Sequence, residues 1–210
     1  MARHINAVCK LCRREGEKLF IKGSKCNTEK CPAEKKPYPP GERGRGRART
    51  RETDYLIQLR EKQKVKRIYG VLEKQFKNYF KRALKMKGIT GKNLLVFLET
   101  RLDNIVYLLG FAESRPQARQ LVNHGHILVN GKKMKVPSYQ VRAGQEVEIV
   151  KKAKKIPTIA QSIAQSSETE IPRWLQVDHK ELKGKVISLP EREDIDQSIK
   201  EQIIVELYSR

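Results

Sequence analysis

The sequence predicts an α+β protein: a mainly helical domain, a small helix–hairpin module inserted into it, and a cysteine-bearing N-terminal extension. Three observations predict it. Apolar residues recur every three or four positions from Asp54 to Lys87 and again from Leu98 to Val122, which is the helical period. Short apolar runs lie on either side of Asn130-Gly131, a dipeptide that closes a two-residue hairpin. All four cysteines fall within the first 31 residues, a stretch with few large apolar side chains.

Composition sets the class of partner. The 210 residues carry 45 Lys plus Arg against 24 Asp plus Glu, a net charge of +21, and only 38% are apolar. One or two small domains fit that length. So large an excess of one sign repels itself in a compact chain unless a polyanion is the usual partner. Nucleic acid, an anionic membrane surface and an acidic protein are the candidates. The charge is placed unevenly: residues 1–51 carry +10, 52–155 carry +14, 156–167 none, and 168–210 carry −3. The basic surface therefore occupies the first three quarters. No apolar h-region follows Met1, and runs such as Leu94–Leu98 are too short to span a bilayer. No helix pairs a strong basic face with exposed bulky apolar residues, so a membrane role is not expected. A cytoplasmic, reducing location is the expectation, with cysteines as thiols rather than disulfides.

Residues 1–36 are too poor in apolar side chains for a core of their own. Pro37-Tyr38-Pro39-Pro40-Gly41 is a stiff extended linker. Arg43, Arg45, Arg47, Arg49 and Arg51 then place a guanidinium at every second position. Such a run is either a solvated tail or a segment that orders on RNA, each Arg gripping phosphate bidentately or stacking on a base; we favour the latter. From Asp54 to Lys87 one helical stripe holds Ile68, Leu72, Phe76, Tyr79, Phe80 and Ala83, while Lys74, Lys77, Lys81 and Lys85 follow the same period on another face. Gly88 stops it, and a short helix runs from about Lys92 to Leu98. Leu98, Leu102, Ile105, Val106 and Leu109 give the next helix, ended by Gly110.

Ser114-Arg115-Pro116-Gln117 reads as a capping box with proline in the first turn. It opens a helix that buries Ala118, Leu121 and Val122, presents Arg115 and Arg119 on one exposed face, and ends at Gly125. Ile127–Val129 enters the Asn130-Gly131 turn, and Glu146–Ile149 closes a sheet. Beyond the basic run Lys151–Lys155, Ile159–Ile163 is a weak helix, Trp174–Val177 and Val186–Leu189 are short strands, and Trp174 is a packing anchor. Ile195, Ile199, Ile203 and Leu207 form a last amphipathic helix.

Cys9-x-x-Cys12 and Cys26-x-x-x-x-Cys31 use every cysteine, with thirteen residues between the pairs. Four thiolates so spaced can close a tetrahedron around zinc, and metal binding would supply the folding free energy that the extension lacks. Lys10, Arg13, Arg14, Lys25 and Lys30 favour the thiolate form. Zinc is the first choice; an iron–sulfur cluster is the alternative, and four unrelated free thiols the plainer reading. Phosphate-loop, dinucleotide, nucleophile-elbow and zinc-protease motifs are all absent, so no enzyme and no small-molecule substrate are expected. His124 and His126 flank Gly125, fit either to contact RNA or to cap the helix.

Arg101-Leu102-Asp103-Asn104, Ser114 through Val122 and Val129-Asn130-Gly131-Lys132 resemble a small RNA-binding module found in some tRNA synthetases, pseudouridine synthases and heat-shock RNA binders. Leu59 through Glu73 and Ile204-Val205-Glu206-Leu207-Tyr208-Ser209 extend the resemblance over essentially the whole chain, to the bacterial family of small-subunit ribosomal protein four. The four-cysteine N-terminus resembles its zinc-bearing branch. The resemblance implies a non-enzymatic early assembly protein on the five-prime domain of 16S ribosomal RNA. It also implies a place near ribosomal protein five, other small-subunit proteins and the channel by which mRNA enters, an influence on translational accuracy, and no homo-oligomer. A stress or quality-control RNA binder acting on ribosomes is the alternative.

The expected pieces are residues 1–45 as a metal-nucleated extension, 46–98 with 168–210 as the helical domain, and 99–167 as the inserted RNA-binding module. Cys9, Cys12, Cys26 and Cys31 are the candidate metal ligands. The candidate RNA-binding residues are Arg43, Arg45, Arg47, Arg49, Arg51, Lys62, Lys66, Arg67, Lys74, Lys77, Lys81, Arg115, Gln117, Arg119, Asn123, His124, Asn130, Lys132 and Lys133.

Overall fold

A computed structural model describes residues 4, 6–41, 53–157, 159–160, 162 and 171–209. Three short segments begin it: α1 (Cys9–Glu15), a 3-10 turn (Gly23–Asn27) and α2 (Pro32–Lys35). The helical period from Asp54 onward is broken once. The sequence reads as one helix to Lys87, but the chain forms α3 (Asp54–Ile68) and α4 (Glu73–Lys85). The break is Gly70, whose φ of +59° is left-handed and ends the i to i+4 ladder. Helix α3 starts at Thr53, whose hydroxyl oxygen accepts the N–H of Leu56 at 3.3 Å. Then follow α5 (Thr90–Glu99), α6 (Leu102–Leu108) and α7 (Arg115–Asn123). The expected capping box of α7 forms differently. Ser114 makes no side-chain cap; the Glu113 N–H instead donates to Gln117 Oε1 at 2.9 Å.

The strands are β1 (Ile127–Val129), β2 (Lys132–Met134), β3 (Glu146–Ile149), β4 (Leu175–Asp178) and β5 (Lys183–Val186). They form one antiparallel sheet in the order β2-β1-β3-β5-β4. Asn130 and Gly131 both have positive φ, +48° and +74°, as the predicted two-residue hairpin demands. Residues 175–186 were expected to complete the helical domain. They extend the module's sheet instead, because β5 pairs with β3 and Trp174, Leu175, Leu182 and Val186 share a core with Leu102, Ile105, Val106, Val122 and Ile127. Trp174 is buried there, as expected of a packing anchor. Strand β5 ends at Val186, leaving Ile187 and Leu189 exposed, so the strand expected at Val186–Leu189 is displaced toward the N-terminus. Gly184 lets β5 lie on α6: a Cβ there would stand 2.4 Å from a methyl of Leu109.

The second core is built from distant parts of the chain. Val65, Ile68, Phe76, Phe80, Leu94, Leu95 and Leu98 meet Cys12 and Leu19 from the extension and Ile195, Ile199 and Ile204 from the C-terminal segment. The last helix, α8 (Glu201–Ser209), begins later than the sequence pattern suggests, and Ile204 rather than Ile203 is its fully buried residue. Ile195 and Ile199 enter the core from the turns that precede it. Ion pairs dock the extension on α3: Arg60 and Arg67 hold Glu15, and Lys64 reaches both Glu17, at 2.7 Å, and the carbonyl of Ser198, at 2.8 Å.

Candidate nucleic-acid interface

The two lobes meet at a buried polar junction of Glu99, Arg101, Asp103 and Asn104. Arg101 is 0% exposed. Its Nε and Nη2 donate to the two carboxylate oxygens of Asp103 at 2.9 and 2.6 Å, and its Nη1 donates to the Tyr79 hydroxyl at 2.8 Å. Burial works against the guanidinium charge, and the Asp103 carboxylate outweighs it, keeping Arg101 protonated. Asn104 donates to the Glu99 carboxylate at 2.6 Å, and the Tyr69 hydroxyl donates to the same side chain. Burial pushes the Glu99 carboxyl up, opposed by the neighbouring charge of Arg115 and by those hydrogen bonds. A signal for this junction does exist in the sequence. Arg101, Asp103 and Asn104 interrupt an otherwise apolar helical stretch, and polar residues at core positions must find partners inside.

The junction sets the arginines of α7. Their expected exposed face is not formed: both are half-buried. Arg119 donates to Asp103 Oδ2 at 2.9 Å. Arg115 donates to Asn104 Oδ1 at 2.7 Å, and its guanidinium carbon lies 5.2 and 4.5 Å from the ring centres of Tyr69 and Tyr107. Spacing of four brought the two side chains to one side, and the acidic and aromatic residues of α3, α5 and α6 then drew them inward. The result is a pair of cations held in fixed orientation, as recognition of a folded polyanion requires.

Between the lobes opens a cavity of about 400 Å³. Lys66, Arg67, Arg115 and Arg119 line it, together with Asp103, Val8, Leu11, Ile21, Ile68, Val71 and Leu72. Four of the sequence-predicted RNA-binding residues, from two different lobes, thus converge on one site. One other nearby serves the fold. Lys62 is largely buried against Glu73 at 2.7 Å, with Lys66 on the second carboxylate oxygen at 3.0 Å, so Lys62 is not the open phosphate contact expected of it. Burial disfavours the Glu73 carboxylate, but hydrogen bonds from Lys62, Lys66 and Tyr208 outweigh it and hold the group down to about 2.

The remaining candidates spread over the surface. Lys74, Lys77 and Lys81 stand exposed along α4, and no ion pair among the described residues involves them. Lys132 and Lys133 are exposed on β2. Asn123 and His124 are exposed at the end of α7, and the His124 and His126 rings meet edge-on at 6.0 Å. Asn130 is occupied by the fold: its Oδ1 accepts the N–H of Glu146 at 2.8 Å and closes the hairpin against β3. Gln117 likewise holds the start of α7 and reaches Ser162 at 3.4 Å. Arg43, Arg45, Arg47, Arg49 and Arg51 lie outside the described residues.

In the extension Cys12, Cys26 and Cys31 are buried and Cys9 is half-buried. Burial pushes the Cys12 thiol up, the backbone N–H of Leu19 opposes it, and the charges of Cys26, Cys9 and Cys31 raise it further. All four sulfurs therefore share one electrostatic neighbourhood. Among the described residues, however, no three His, Cys, Asp or Glu side chains are drawn close enough to hold a metal ion.

Comparison with known proteins matches this division. Residues 3–99 match the family described as "Ribosomal protein S4/S9 N-terminal domain", and residues 100–147 match "S4 domain". The boundary falls at the Glu99–Arg101 junction. Proteins named "Small ribosomal subunit protein uS4" align over all 210 residues and the whole of both chains. Those of Thermodesulfovibrio yellowstonii and Geotalea daltonii are 55% identical, and that of Maridesulfovibrio salexigens is 57% identical. With both lobes matched by family and relatives aligned end to end, the chain belongs to the uS4 family of small ribosomal subunit proteins.

Proposed function

We propose that the protein is a structural, non-enzymatic component of the cytoplasmic small ribosomal subunit that binds the five-prime domain of 16S ribosomal RNA and nucleates assembly there. The single observation that carries this reading is the convergence of Lys66, Arg67, Arg115 and Arg119 on the cleft between two lobes. Preset cations on a rigid junction recognise RNA tertiary shape, while the exposed lysines of α4 and β2 add sequence-independent phosphate contacts. Docking beside ribosomal protein five and along the channel by which mRNA enters, with an influence on translational accuracy, belongs to the same reading and is supported by family membership.

We also propose that Cys9, Cys12, Cys26 and Cys31 hold one structural zinc ion. The donor set supports it: four thiols, three of them buried, in a segment that adds only a few apolar side chains to the core among the described residues, Cys12 and Leu19 with the partly buried Ile21 and Ala33. Bound there, the metal would supply a cross-link joining α1, the 3-10 turn and α2. Metal analysis of anaerobically purified protein tests this. One zinc per chain is expected; an iron–sulfur chromophore would replace zinc by a cluster, and a metal-free protein with a folded extension would end the proposal.

A salt titration of binding tests the RNA assignment. With roughly ten phosphates neutralised, the log–log slope for the five-prime domain should lie near −7 to −9. An unrelated folded RNA of equal length should bind far more weakly at moderate salt. Equal, salt-labile binding to both would favour a stress-type ribosome binder instead.

A further inference from the structure

Phosphate contacts need only a basic surface, and the interlobe cleft offers something else. Its lining joins aliphatic residues, among them Val8, Ile21 and Leu72, to the cationic residues Lys66, Arg67 and Arg119 and to Asp103. An apolar concavity gains nothing from a phosphate, which prefers water or charge. A planar heterocycle gains from it by leaving water, and a phosphate attached to that heterocycle meets the cations at the same site. The volume of about 400 Å³ lies in the range of small-molecule sites and is too small for a helical segment of RNA. The walls are also preorganised. Arg67 is braced by Glu15 and Lys66 by Glu73, so the cation-bearing wall is held before any ligand arrives.

We propose that this cleft receives a single unstacked nucleotide, its base against the aliphatic lining and its phosphate on the cations, supplied by the RNA that the two lobes grip. The inference rests on the reading of the chain as a ribosomal RNA binder and adds to it a pocket for one splayed base. Splayed nucleotides are the usual carriers of sequence information in RNA recognition, because their edges and faces are open to side chains. Such a contact also ties specificity to the relative position of the lobes, since Leu72 caps α4 in one lobe and Arg119 lies on α7 in the other.

The test fills the pocket without removing charge. Leu72 is 40% exposed at the α3–α4 turn, so Leu72→Trp adds bulk without invading the core; Val8→Trp, on the extension side, is the second variant. Each is checked for folding by thermal unfolding and titrated with the five-prime domain of 16S RNA across salt concentrations, with base-specific chemical probing of the complex. The expected result is roughly ten- to a hundredfold weaker binding with an unchanged salt slope, and one nucleotide losing its protection. Wild-type affinity and an unchanged footprint in both folded variants would overturn the proposal while leaving RNA binding intact. Failure of the wild type to discriminate that RNA from the control would overturn the underlying reading instead. A calorimetric titration with AMP alone separates the sources. Saturable binding of AMP, with RNA affinity unaffected by either variant, would make the cleft a free-nucleotide site and overturn the assignment to RNA.

Discussion

Arg119 donates to Oδ2 of Asp103 at 2.9 Å, the same oxygen that accepts from the wholly buried Arg101 at 2.6 Å. One carboxylate therefore does two things: it neutralises a cation that never meets solvent and aims another toward the cleft. Structural and functional charge are linked through a single atom.

Replacing that carboxylate should show the two roles at different scales. Asp103→Asn leaves Arg101 buried without its counter-charge, and a cost of about 3–5 kcal/mol is expected in urea unfolding. Arg119→Gln removes only the half-buried partner and should cost far less stability while weakening RNA binding. Similar stability losses in the two variants would contradict this division.

The α4 lysines should behave as pure phosphate contacts. Lys74→Gln, Lys77→Gln and Lys81→Gln together are expected to leave the unfolding midpoint nearly unchanged, since exposed substitutions stay within about 0.5 kcal/mol each. The salt slope for RNA binding should fall by about two to three. An unaltered slope would remove α4 from the interface. Lys62→Gln, by contrast, should destabilise the fold modestly, because it removes a largely buried ammonium from its pair with the half-exposed Glu73.

Glu73 carries a pH signature. Its carboxyl is held down to about 2 from an ordinary 4.5, so the folded state favours the ionised form. The resulting stabilisation is fully present above about pH 4.5 and is lost as pH falls toward 2. Thermal unfolding of the wild type and of Glu73→Gln should differ most at neutral pH, with the difference vanishing near pH 2. A difference that grew on acidification would reverse the sign and refute the assignment. Because Glu73 is about half exposed, solvent screening keeps the effect modest.

Gly184→Ala probes the extended sheet. A methyl placed 2.4 Å from Leu109 forces β5 away from α6, and overpacking of this kind costs roughly 1–3 kcal/mol. Calorimetry should show a lowered midpoint; an unchanged one would mean that β5 is not seated on α6.

Local pattern revealed the elements better than their grouping. Ala118, Leu121 and Val122, the Asn130-Gly131 hairpin and the α4 stripe were legible because period and turn chemistry are local. The break at Gly70 was not, because Ile68, Leu72 and Phe76 keep helical spacing across it. The pairing of β5 with β3 was hidden for another reason. Lys183-Gly184-Lys185 has no apolar alternation, and its place in the sheet depends on fitting under Leu109. In the site, residue types were readable and their engagement was not. Nothing in the spacing of Arg115 and Arg119 says that Asn104 and Asp103 will claim them, since those partners become neighbours only when α6 packs on α7.

The lobe built around α3 and α4 also has an order of events written into it. Its core takes Ile195, Ile199 and Ile204 from a segment made more than a hundred residues after α4, whereas the core of the sheet lobe, among the described residues, draws only on side chains between Leu102 and Val186. During synthesis the sheet lobe can close while α3–α5 still lack their cover, leaving Phe76 and Phe80 without the stacked ring of Tyr208. For that interval the RNA-binding module exists as a finished unit joined to an unfinished one. A nascent chain could therefore be held by RNA through residues 102–186 before its other half is able to fold.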